Sequence, residues 1–383
     1  MRREIKMNSN HLKFRAQWLL VILLSSCGGG GSSSSSGGTT TVRSAYVANF
    51  GDGTISQYTI DATGALIPIF PSASVFSMAG ITTSNPTSVT VVPSGKYAYV
   101  ANSGDYVISQ FTIGAGGALA PMSTPTVISG IPGSAPFSVT VDPMGKYAYV
   151  ANGDNTVSQF TINTGGGLVP MSTPTVPSGT AYPGAVSVTV DSLSKYVYVA
   201  NEGDNYISQY TIGTTGGLTA MSSPTAPAGT NPISLTVHPT GKYAYVANYG
   251  STNISQYSIG SGGALTAMTT ATVATGTLPT SIALDPTGKY AYVADGGGVS
   301  QYNIDATTGA LTPMMPATVS TIGLTPQSIT VDASGKYVYM ANQGSGVVAQ
   351  YTIGAGGALT PMSSPTAATG TSPYSVTTAV SLH

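Results

Sequence analysis

The chain has 383 residues, of which 41% are hydrophobic and only 7% charged, with 48 Gly, 25 Pro and 23 Tyr. So many apolar and aromatic side chains exclude a disordered chain, and the Gly, Pro, Ser and Thr read as turns and a neutral surface on a β core. Net charge is −1, and beyond residue 26 seven cations stand against twelve acids; six of those cations are lysines spread one per repeat, so there is no basic stripe to bind nucleic acid.

Residues 1–26 read as an export signal. Arg2, Arg3, Lys6, Lys13 and Arg15 precede an apolar run at 18–24. Seven residues are too few for a permanent membrane helix, which takes about 20. Met7 is an alternative start that gives a more usual signal length. The run ends in Leu24-Ser25-Ser26-Cys27, which resembles the lipobox of bacterial lipoproteins. That resemblance implies cleavage before Cys27 and acylation of its thiol and new amine. The other reading is a free thiol after an ordinary signal. Cys27 is the single cysteine, so disulfides play no part. Residues 27–41 then form the lipidated Cys and a flexible Gly/Ser tether, and two or more acyl chains would anchor it stably. Gly28 in place of an Asp resembles the outer-membrane sorting pattern of enteric bacteria.

Residues 42–383 are a repeat domain. Segments 95–102, 145–152 and 241–248 all read GKYAYVAN, with variants at 194–201, 288–295 and 335–342 and a shortened copy at 44–49. The marker tyrosines are Tyr46, Tyr99, Tyr149, Tyr198, Tyr245, Tyr292 and Tyr339, spaced by 53, 50, 49, 47, 47 and 47. A period of 40–50 residues with only strand signals predicts propeller blades. Each unit holds four strand-like segments, for example 233–237, 242–247, 254–259 and a fourth beginning at Ala264. Pro-Thr-Gly and Gly-rich tetrapeptides make the turns. The first unit lacks its own first strand, whereas 372–380 (SPYSVTTAV) matches that strand's pattern. The expectation is an all-β, seven-bladed β-propeller of four-stranded antiparallel blades, with the C-terminal strand closing the first blade and leaving no open sheet end.

The pattern PxSVTVDPxGKYAYVAN…ISQYTI…GGALTPM resembles the YVTN-type propellers, and within them the 6-phosphogluconolactonase-like lactonase family. The resemblance implies lactone hydrolysis, with functional loops on the face that carries the second-to-third-strand and blade-to-blade connections. It also implies a histidine near the PxS motif.

On that face the residue after Pro in each first strand should stand near the channel mouth. These residues are Thr87, Phe137, Val186, Ile233, Thr280, Gln327 and Tyr374. They vary while their surroundings repeat, as a ligand-binding surface or a tolerant exposed position would. None is His, Arg or a carboxylate. His11 lies in the signal, His383 is the last residue, and His238 replaces a turn Asp on the opposite face. A Ser-His-Asp triad therefore has no base.

The remaining chemistry is acidic. Asp52, Asp105, Asp154 and Asp204 follow the YVAN motif, and Glu202-Gly203-Asp204-Asn205 is the tightest group. They form either a partial ring for Ca²⁺ or another hard cation, or hairpin turns in which Asp and Asn are favoured. The recurring Gln of the third strand (Gln57 to Gln350) and the Met of the fourth read as shared structural elements. The sequence thus reads as a monomeric, lipid-anchored envelope propeller that binds a protein, a polysaccharide or a small molecule. The alternative is a lactonase-type hydrolase.

Overall fold

A computed structural model describes residues 41–74, 84–320 and 322–382. The signal, Cys27 and most of the tether lie outside the described residues. The described residues form seven four-stranded antiparallel sheets. Blade 2 is typical. Its strands are Pro86–Val91, Tyr97–Asn102, Val107–Ile113 and Leu119–Ile128, in that order from the channel outward. The first strands of adjacent blades touch all the way round, so they line the central channel.

Blade 1 is built from both ends of the domain. Pro373–Leu382 pairs with Thr41–Asn49, which continues into Thr54–Ile60 and Leu66–Ser74. The C-terminal strand therefore closes the circle, as the missing first strand of the first unit predicts.

Alternation in the second strand decides the packing. Successive side chains point to opposite faces. In blade 2, Tyr99 and Ala101 pack toward blade 3, while Ala98 and Val100 pack toward blade 1. All four are fully buried. Large and small faces meet at every interface, and each of seven apolar clusters spans two blades.

Three rings of hydrogen bonds stitch these interfaces at increasing distance from the channel. At the inner ring, the Ser of each PxS motif accepts the first-strand amide of the next blade, at 3.2–3.4 Å. In the middle ring, each marker tyrosine donates its hydroxyl to a glycine carbonyl of the next blade at 2.6–2.7 Å, from Tyr46 to Gly117 round to Tyr339 and Gly64. Burial pushes the Tyr46 phenol up to about 12 and the others higher still, so these donors stay protonated. At the outer ring, each third-strand Gln accepts the amide of a Leu in the next blade at 2.6–2.8 Å. The repeated Gln is therefore a structural brace. Four of the fourth-strand Met, Met122, Met221, Met268 and Met362, pack against the apolar clusters, and Met314 is buried.

Candidate functional site at the channel mouth

In the first strand the repeat turns a side chain into the channel with a β-bulge. The pairing register skips the residue after Pro86, Pro136, Pro232 and Pro326, and the residue after Ala185 in blade 4. In blade 1 it skips Tyr374. A bulge re-aims a side chain without breaking the strand. In five blades the residue before Pro is held at positive φ: Asn85, Asn231, Leu278, Thr325 and Ser372, at 44–52°. That conformation is costly for a bulky residue such as Leu278. Strain recurs at the rim because the chain must turn sharply from a surface loop into the innermost strand.

The seven mouth positions, Thr87, Phe137, Val186, Ile233, Thr280, Gln327 and Tyr374, all line one cavity of about 300 Å³. The seven serines of the inner ring line it with them, together with Tyr182, Pro183 and Glu202. Among the described residues its lining contains no Lys, Arg or His, and Glu202 is its one charged residue.

The mouth residues differ in freedom. Thr87 and Thr280 donate their hydroxyls to the carbonyls of Pro136 and Pro326 in the next blade, each at 3.0 Å. Gln327 donates to Gln343 at 3.0 Å. Tyr374 packs against Phe50, with ring centroids 5.7 Å apart. Phe137 leans over Gly153, where an added Cβ would come within 2.6 Å of the ring.

These contacts expose a second variable position that sequence reasoning missed, the residue directly after the YVAN Asn. It follows the mouth residue by a constant 16 positions, as in Thr87 and Ser103, Phe137 and Gly153, Val186 and Glu202, or Gln327 and Gln343. In blade 1 the pair is Tyr374 and Phe50. The constant offset was the available signal, and it identifies Glu202 as a mouth residue apart from the acidic turn beside it.

The acidic residues separate accordingly. Asp204 accepts the amides of Thr180 and Ala181 and the Thr180 hydroxyl, with the Thr180 contacts at 2.7 and 2.8 Å. Burial opposes its ionisation, but these donors outweigh it and hold the carboxyl below its ordinary range. Asn205 sits at φ 58° and accepts the Asn231 amide. Asp52 accepts from Thr54 and from the Thr371 amide, and Asp154 from Thr156. Asp105 is buried, and burial pushes its carboxyl up. The five lie in four blades, and among the described residues no three His, Cys, Asp or Glu side chains gather as a metal would require. His238 contacts the Thr240 hydroxyl at 2.7 Å within its own turn and the Gly288 carbonyl at 2.8 Å in the matching turn of the next blade.

Asp204 and Glu202 thus do different things within one turn. Asp204 fixes the 180–183 loop. The Gly203 amide donates to the Pro183 carbonyl at 2.8 Å, and a Cβ on Gly203 would collide with it. This seats Tyr182 and Pro183 on the mouth beside Glu202, with Tyr182 83% exposed. Partial burial pushes the Glu202 carboxyl up. Tyr374, four blades on, is raised first by burial and then by the Glu202 charge, so both face the same channel.

Sequence comparison agrees with this architecture. Residues 19–269 and 260–381 match the family model "Lactonase, 7-bladed beta-propeller". The chain belongs to this lactonase family of seven-bladed propellers. Among solved structures it is similar to a candidate 6-phosphogluconolactonase of Bacteroides fragilis, at 20% identity and TM-score 0.74 over 91% of this chain and 99% of the other. A candidate 6-phosphogluconolactonase of Bacteroides uniformis matches at 20% identity and TM-score 0.74, over 88% and 99%. The periplasmic gluconolactonase PpgL of Pseudomonas aeruginosa matches at 18% identity and TM-score 0.73, over 89% and 99%. At these identities the likeness is one of fold. No protein with a curated description matches.

Proposed function

We propose that the chain is an exported, lipid-anchored propeller of the cell envelope whose mouth cavity binds a small organic molecule without hydrolysing it. The observation that carries this reading is the convergence of all seven variable first-strand residues on one cavity whose lining pairs no nucleophile with a base. The inner-ring serines already accept backbone amides, and Glu202 is the one carboxyl among the described lining residues. Export and anchoring rest on the 1–27 segment.

A phosphorylated substrate fits poorly. Phosphate recognition uses Arg, Lys or a helix N-terminus, and the lining offers no cation. The second reading is hydrolysis of an unphosphorylated lactone with Glu202 as general base toward water, supported by family membership and by the raised carboxyl. Direct assay of gluconolactone and 6-phosphogluconolactone opening, against the uncatalysed rate, separates the two. The binding reading expects no acceleration. Turnover that disappears in Glu202→Gln would replace it with the hydrolytic reading.

A further inference from the structure

Glu202 is a partly buried carboxylate on a cavity whose lining, among the described residues, contains no cation. Among the described residues one ion pair is found, Arg43 with Asp332, and it lies elsewhere. A desolvated charge without a counter-charge is costly, and a ligand that brings the opposite charge offsets that cost. The groups around it narrow the ligand. Phe137, Tyr182 and Tyr374 line the same cavity, and aromatic faces attract organic cations. One carboxylate without further acidic ligands does not suit a hard metal ion, which takes six to eight oxygens in the case of Ca²⁺. Below the rim, each inner-ring Ser oxygen already accepts an amide, which leaves its hydroxyl proton to donate to a ligand hydroxyl or carbonyl.

We infer that the mouth binds a small organic ammonium bearing hydroxyl groups, an amino sugar or amino alcohol, with the ammonium against Glu202 and the aromatic rings and the hydroxyls toward the serine ring. This rests on the binding reading above and names its ligand class. A cavity of about 300 Å³ is at the small end of ligand sites and admits a molecule of monosaccharide size.

Glucosamine and glucose make the test, because they share a shape and differ at one position in charge. Titration calorimetry on the full chain, at matched ionic strength, should show glucosamine binding at least tenfold tighter than glucose. Glu202→Gln should remove that preference while glucose binding persists, and Glu202→Lys should shift preference to gluconate. Far-UV circular dichroism checks that both variants fold. Equal binding of glucose and glucosamine would overturn the charge inference and leave the mouth reading standing. So would retention of the glucosamine preference in Glu202→Gln, or competition by CaCl₂ beyond that of NaCl at equal ionic strength. Absence of binding for every probe would overturn both.

Discussion

Removal of residues 372–383 should unfold the ring and not merely fray its end. The strand Pro373–Leu382 pairs with Thr41–Asn49 at nine positions. At about 1 kcal/mol net per ladder hydrogen bond, the pairing alone is worth several kcal/mol. Val376 is 5% exposed, and its loss from the interior costs a further ~1.5–3 kcal/mol. Two inner-ring bonds go as well, from the Val376 amide to Ser328 and from the Val89 amide to Ser375. Together these approach the whole stability of an ordinary domain, about 5–15 kcal/mol. The truncation would also bare one edge of the strand that carries Tyr46 and Val47, both fully buried. Thermal melts of the chain ending at Thr371, followed by far-UV circular dichroism, should show a broad transition at much lower temperature or none. Ser381→Ala is the graded control. It loses one buried hydrogen bond, from the Ser381 hydroxyl to the Gly95 carbonyl at 2.7 Å, and should lower Tm by no more than about 2–4 °C. A truncated chain melting within about 2 °C of the full one would refute the closure argument.

Two further outcomes test the rings and the mouth. Tyr99→Phe should cost about 1–3 kcal/mol, because it leaves the buried Gly166 carbonyl without its donor at 2.6 Å, whereas Tyr97→Phe, with a 3.5 Å contact near solvent, should stay within about 0.5 kcal/mol; denaturant titration of both variants measures this, and equal effects would refute a load on the middle ring. Glu202→Gln should raise Tm at neutral pH in the absence of ligand. Burial raises the folded-state carboxyl above its unfolded value of about 4.3. Its stabilising contribution is therefore full below the unfolded value and is lost as pH rises through the folded one. The advantage of the Gln variant should accordingly shrink toward pH 4, and a wild type more stable than Glu202→Gln at pH 7 would refute the account.

Much of the fold was legible because the repeat states its own period. Seven marker tyrosines at spacings near 47–53 count the blades, and strand alternation places Tyr99 and Val100 on opposite faces. The closing strand was legible because a ring must leave no edge, and only the C-terminus carried the missing pattern. The acidic positions were harder. Asp204 and Glu202 are two residues apart and look like one cluster in the sequence, yet one faces backbone amides of the preceding loop and the other the channel. Local spacing cannot separate them, because the facing of a turn side chain depends on a loop that arrives from the previous blade.

The amino-acid sequence by itself determined the number of blades, their strand pattern and the manner of closure, because these follow from periodicity and from the need to bury both faces of every sheet. Only the tertiary structure decided that the serines, tyrosines and glutamines brace the interfaces in three rings, and that one carboxylate among the acidic turns stands at the mouth. Those are contacts between neighbouring blades, and an interface partner about 50–70 residues away, or at the far end of the chain, leaves no mark on local pattern.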